Sequence, residues 1–312
     1  MRYTLLFAIC LPFWGHSQQL ADLSVFGELA FAWNPAMTAP YDYWEVTADY
    51  RQQWLGFDNA PRTAILAAQY PFQKENMSIG GVFTHDRIHP FNVSTLAFTY
   101  AYRFKMGFSR YDQASIGATV NASQYFVDGL SIIASNPDDV LLPFGENNGL
   151  GFNAGAGFFY TTYAGARRRR YYSENAFFFG GAVQQVFPAK LIIEQSNRFA
   201  NWQRAMHGNF MVGGRLVNRN FFIEPSTWLN FGAPNLANFN IQVKMEKPEA
   251  FWTAVTYTSN QTLALQIGTI SPSGFAKGSF WRIGAMGSYN VGSFGQHRGL
   301  GLEFMMAYRL IE

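Results

Sequence analysis

The sequence predicts an all-β transmembrane protein: an antiparallel up-and-down barrel of about fourteen strands, its lumen closed by an N-terminal segment and by inward side chains. Three observations carry this. In "STLAFTYAYRFK" (94–105), Leu96, Phe98, Tyr100, Tyr102 and Phe104 share one parity, and Thr95, Ala97, Thr99, Ala101, Arg103 and Lys105 share the other. A period of two is a strand with unlike faces. Such runs last about 9–12 residues, the length a tilted membrane strand requires, whereas strands of soluble sheets average about 5–6. Finally, 18% of residues are aromatic and only 14% charged, with 29 glycines; ordinary globular chains carry about 25% charged residues. A barrel turns its aromatic face to lipid and its small or charged face to the lumen, so alternation hides its hydrophobicity from any window average.

The chain opens with a secretory leader over residues 1–17. Arg2 is followed by an apolar run from Tyr3 to Trp14 and by small residues at Gly15 and Ser17, with cleavage expected near Ser17–Gln18. The run is too short to span about 30 Å of hydrocarbon. Cys10, the single cysteine, lies within it, and Phe7, Ala8 and Ile9 do not supply the small residue that lipoprotein processing needs just before its cysteine. A mature chain without this leader has no disulfide, no thiolate metal ligand and no cysteine nucleophile. Residues 18–43 form a segment ahead of the barrel; Asn34-Pro35 within it is a turn signal. Residues 44–312 make the barrel as one domain.

Alternation is clearest in 44–51, 94–105, 115–123, 209–216, 238–246, 281–290 and 300–310. Weaker segments at 62–70, 77–85, 149–160, 174–186, 220–230, 249–258 and 261–270 bring the count to fourteen, an even number as in single-chain bacterial barrels. Pro225 falls inside one of them and predicts a bulge or a strand end, since a closed barrel offers no free edge. In-strand glycines (Gly151, Gly155, Gly157, Gly180, Gly181, Gly213, Gly214) predict kinks or the close approach of something inside. The long insertions 125–148 and 187–206 follow the fifth and seventh strands, which puts both on the outer side when the termini are periplasmic, with short turns such as 217–220 and 246–249 opposite.

Catalytic chemistry finds no constellation, and no catalytic residue, cofactor or metal site is expected. His85 and His89 are four apart but not on a helix, and nothing joins His207 to Ser226. A net charge of +3 offers no nucleic-acid partner. The run Arg167, Arg168, Arg169 and Arg170 falls on the expected periplasmic rim. There it either grips an acidic periplasmic partner or lipid head groups, or serves as ordinary membrane-edge arginine beside interfacial tyrosines. The inward set Glu45, Asp49, Arg51, Arg103, Lys105, Glu224, Lys244, Arg282, Glu303 and Arg309 either lines a pore or holds a plug through buried ion pairs, because uncompensated burial of charge is too costly.

The N-terminal third carries a more specific signal. "WNPAMTAP" (33–40), "YRQQWLGFDNAPRT" (50–63), "YPF" (70–72), "HDRIHP" (85–90) and "YAYRF" (100–104) follow one another in order. In order and spacing they resemble the PorP/SprF family of the type IX secretion system of Bacteroidetes, with Asn59 standing where that family usually has glycine. The likeness is closest over about residues 26–105 and looser through "GAGFFY", "FIEPSTWL" and "GLEFMMAYRL". It marks Asn34, Pro35, Arg51, Trp54, Pro61, Asp86, Tyr102 and Arg103 as motif or luminal residues. It implies an outer-membrane protein that docks, anchors or helps export a particular secreted surface protein, often an adhesin, through that protein's C-terminal sorting domain. Its implied partners are that client, the type IX components, a periplasmic peptidoglycan-associated protein among them, and outer-membrane lipid. The competing expectation is a small-solute transporter or porin-like channel. In the docking reading the N-terminal segment folds into the lumen near Arg51 and Arg103.

Overall fold

The computed structural model describes residues 27–41, 43–109, 111–129, 146–163, 174–187, 190–195, 198–203, 206–232, 236–272, 275–276, 278–292 and 299–310. Fourteen strands close into one antiparallel barrel. They are β1 (Trp44–Gln52), β2 (Arg62–Phe72), β3 (Met77–Ile88), β4 (Phe91–Phe104), β5 (Gln113–Asp128), β6 (Glu146–Thr161) and β7 (Ala176–Gln184), then β10 (His207–Asn218), β11 (Phe221–Gly232), β12 (Leu236–Lys247), β13 (Phe251–Thr258), β14 (Thr262–Ser271), β15 (Ser279–Asn290) and β16 (Gly301–Leu310). β1 pairs with β16 from Trp44↔Leu310 to Gln52↔Leu302, which seals the cylinder and puts the start of β1 and the end of β16 at one rim. The two long insertions leave from the opposite rim, the extracellular one by the usual asymmetry of loop lengths.

The opening alternation points as its chemistry requires. On β4, Phe98 is 59% exposed while Ala101 is fully buried. No water-filled face could hold Leu96, Phe98, Tyr100 and Tyr102 in a row on one side, but hydrocarbon does. At the periplasmic rim an aromatic girdle forms: Trp281 and Trp44 pack on Tyr308 with ring centroids 4.8 and 5.5 Å apart, and Tyr70 meets Phe72 at 5.0 Å. Rings with one polar tip are stable at that interface. No described helix is long and apolar enough to cross a membrane.

The strands differ from expectation where the pattern weakens. β3, β4, β5 and β6 run on toward the extracellular side, so the first long insertion begins and ends in strand rather than loop. The second contains a hairpin of its own, β8 (Lys190–Gln195) with β9 (Arg198–Gln203), outside the barrel ladder. Pro225 makes neither a bulge nor a strand end. The β10–β11 register is the same on both sides of it, Gly213↔Ser226 and Leu216↔Ile223, and only the pairs between are missing. Proline has no N–H to give there, but its other side still pairs with Val243. Lys105 lies just beyond β4 and is exposed, so it is not part of the luminal set.

Candidate functional site

The lumen is occupied by the chain's own N-terminal segment. Ala30–Trp33 forms one helical turn and Pro35–Met37 a 3₁₀ turn, with Asn34 between them. Asn34 suits that corner because its side chain works in both directions. Its Oδ1 accepts from the Ala36 amide at 3.0 Å, capping the second turn, and its Nδ2 donates to the Phe158 carbonyl on β6 at 2.9 Å. Pro35 follows at the first turn position, where a missing N–H costs nothing.

The barrel wall supplies the remaining partners. The Trp33 carbonyl accepts from Gln184 and Asn209 at 3.0 and 2.9 Å, and the Ala36 carbonyl accepts from Ser115 at 2.6 Å. Thr38 meets Thr99 at 2.9 Å, and the Ala39 amide donates to Gln69 at 2.6 Å. Backbone this close to the wall needs a floor without side chains. A Cβ at Gly117 would overlap Ala36 and Pro35, and one at Gly157 would overlap the Asn34 amide group. Of the in-strand glycines that predict a close approach, Gly157 and Gly180 meet Asn34; Gly117 reads in the sequence as an ordinary small inward residue of β5.

Two apolar clusters grip the segment. Leu29 and Phe31 pack with Ile65, Val82, Trp252 and Met305, while Ala30 and Ala36 pack with Phe159, Met211 and Trp228. Below them lies a buried ion network. Glu28 accepts from Lys244 Nζ at 3.0 Å and from Arg282 and Arg309 at 2.9 and 3.0 Å. Glu246 lies 3.1 Å from Arg282 and 3.7 Å from Lys244. Arg309 also pairs with Glu45, which accepts from Gln69 at 3.0 Å. Three carboxylates thus face three cations, and the charges cancel. Burial alone would push the Glu28 carboxyl up, but Arg282, Lys244 and Arg309 hold it well below the usual carboxylate range. Beside the segment a cavity remains, lined by Phe31, Met37, Phe159, Trp228, Glu45 and Lys244 among others.

The marked residues do not form one site. Asn34 and Pro35 sit in the lumen as described. Arg51 is buried 3.8 Å from Glu303, and Arg103 donates to the Met77 carbonyl at 3.3 Å. Asp86 accepts from Thr63 at 2.7 Å on the inward face near the outer rim. The described part of the segment meets the small floor of β5–β7, Gln69 of β2, Thr99 of β4, Asn209 of β10 and the cations of β12, β15 and β16. Trp54 and Pro61 belong to the outer β1–β2 loop, and Tyr102 faces lipid, 42% exposed. Asn59 in that loop has φ +57, which explains its place at a glycine position: asparagine tolerates the left-handed region better than most residues. Arg167–Arg170, the leader and the start of the N-terminal segment lie outside the described residues. Sequence reasoning missed Glu28, the hub of the network. Its signal was indirect: the inward set read from the strands held more basic than acidic groups, which asked for a carboxylate from elsewhere.

A lipid-facing cylinder of fourteen strands with an occluded lumen defines the class: an outer-membrane β-barrel. Residues 15–308 match the family described as type IX secretion system membrane protein PorP/SprF. The chain belongs to the PorP/SprF family and is associated with type IX secretion. No curated protein matches it. Among solved structures it resembles a Pseudomonas aeruginosa FadL homologue, at 9% identity over 89% of this chain and 92% of that one, with a TM-score of 0.52. It also resembles the Pseudomonas putida toluene transporter TodX, at 7% identity over 92% and 94% of the two chains, with a TM-score of 0.51. The CymD monoaromatic hydrocarbon channel is similar too, at 10% identity over 89% and 91%, with a TM-score of 0.51. At such identities these likenesses define the fold alone. Family and fold together make it a membrane protein.

Proposed function

We propose that this barrel is a docking component of type IX secretion, which anchors or assists the export of one secreted, adhesin-like surface protein through its C-terminal sorting domain. The observation that carries the reading is the occluded lumen. A segment held by hydrogen bonds, two apolar clusters and a neutralised ion network suits a rigid platform better than an open pore. On this reading residues 1–17 are removed on export, 18–43 serve as the luminal unit, and the outer insertions 125–148 and 187–206 hold the client. The Arg167–Arg170 run would meet the periplasmic, peptidoglycan-associated partner. Deleting residues 130–145 or 188–205 should release client into the medium while the barrel still assembles, measured by immunoblots of cell and medium fractions. Client that stays cell-bound after both deletions rejects docking.

A second reading is passage of a small solute, favoured by the cavity beside the segment and by the fold's likeness to channels. Planar-bilayer recordings separate the two: docking expects a closed barrel, and a steady open current supports transport.

A further inference from the structure

The outward face of β2, β3 and β4 changes chemistry toward the extracellular rim. Leu66, Phe83 and Leu96 lie side by side in register and turn apolar side chains to lipid, 54%, 44% and 44% exposed. Two residues nearer the rim the same face carries Ala64, His85 and Ser94, and His85 Nδ1 lies 2.9 Å from Ser94 Oγ. Two further on it carries Arg62, Arg87 and Asn92, with Gln52 of β1 beside Arg62. From Leu66 to Arg62 is about 13 Å along the strand. The guanidinium groups therefore stand at head-group level, above a surface suited to acyl chains.

Arg62 and Arg87 are directly opposite one another in the β2–β3 ladder. Opposite residues on one face hold their Cβ atoms about 4.5–5.5 Å apart, and like charges so placed destabilise a sheet. Both side chains are exposed, and neither has a hydrogen bond or an ion pair among the described residues. The nearby acids do not relieve them: Asp86 turns inward, where it accepts from Thr63 at 2.7 Å, and Asp58 lies in the β1–β2 loop without an ion pair to either arginine. Strands β1 to β4 and the connections 53–61, 73–76 and 89–90 all belong to the described residues, so this surround is complete. An anion seated between the two arginines turns their repulsion into binding. A phosphate monoester carries about −1.5 to −2 charges at neutral pH and three acceptor oxygens. That matches two guanidinium forks flanked by the amides of Gln52 and Asn92.

We propose that Arg62 and Arg87 bind the phosphate of an outer-leaflet glycolipid, whose acyl chains lie along Leu66, Phe83 and Leu96. The site is on the outer wall, away from the lumen, and stands whether the barrel docks a client or passes a solute. The test titrates the whole purified barrel, in uncharged detergent, with bis-phosphorylated lipid A and reads bound lipid by native mass spectrometry. Arg62→Gln and Arg87→Gln should each weaken binding about fivefold, and the two together on the order of 25-fold. Arg219→Gln, in the turn between β10 and β11 at the other rim, should bind like the parent. Lipid A stripped of its phosphates should bind the parent at least about tenfold more weakly, and inorganic phosphate should not displace the intact lipid. Without lipid A the single variants should melt at or above the parent, since each removes the repulsion, and added lipid A should raise the melting temperature of the parent but not of the double variant. A parent that does not bind, equal binding of the two lipids, or parent-like binding by the double variant overturns the site. Displacement by inorganic phosphate at the lipid's own concentration marks a free-anion site and overturns the lipid. Should the double variant misassemble, the single variants still decide.

Discussion

Replacing Glu28 by Gln tests the basis on which the lumen is closed. The substitution keeps size and shape but leaves Lys244, Arg282 and Arg309 facing only Glu45 and Glu246, one uncompensated positive charge inside the barrel. Breaking a buried ion pair from one side costs about 3–5 kcal/mol. The loss falls on the seated segment, since Glu28 belongs to it and its partners belong to the wall. The equilibrium between seated and released segment should then shift by roughly 10²–10³-fold or somewhat more, at about 1.4 kcal/mol per decade. Hydrogen exchange reads this directly through the amides of Asn34, Met37 and Thr38, which bond within the segment to Ala30, Asn34 and Pro35. In E28Q these amides should exchange faster by that factor, while β13 amides keep their parent rates. Acid should act through the same group. A carboxyl held below its ordinary 4.5 contributes stability above that value and loses it as pH falls toward the depressed one. Protection in the parent should be level from pH 7 to 4.5 and decline only below, and E28Q should lack that component. Exchange within about threefold of the parent at neutral pH would refute the claim that the network seats the segment.

Two further outcomes follow from the same geometry. Gly117→Ala should press into the Asn34-Pro35 turn at a cost of about 1–3 kcal/mol, seen as faster exchange of the same amides, while Gly287→Ala, which meets nothing within 4 Å, should change nothing. Arg215 bridges the ladder gap at Pro225 by pairing with Glu224 at 2.6 Å; Arg215→Ala should lower stability to urea by about 3–5 kcal/mol, and replacing both partners with leucine should cost less than that single change.

How much was legible in advance depended on the range of the physics. β4 declared its lipid face because a period of two needs only neighbours along the chain. The same held for β12, where Asn240, Gln242, Lys244 and Glu246 face in and Ile241 and Val243 face out, at 46% and 48% exposure. Pro225 shows the limit. Its missing N–H was evident, but whether the register would slip depended on partner strands on both sides. Gly117 and Gly157 looked alike in sequence, and the reason for each became visible only when residues about eighty and more than a hundred and twenty positions upstream came to rest on them. The β8–β9 hairpin lay inside a stretch without alternation, and its pairing is local to the insertion.

The sequence by itself determined that this is a membrane cylinder, about how many strands build it, and which parity meets lipid. Those properties repeat along the backbone every second residue, so each strand states them independently. Tertiary structure alone decided what fills the cylinder, which cations hold Glu28, and which glycines lie against Asn34 and Pro35. Each of these depends on one meeting between distant parts of the chain, and a single meeting has no period for a sequence to display.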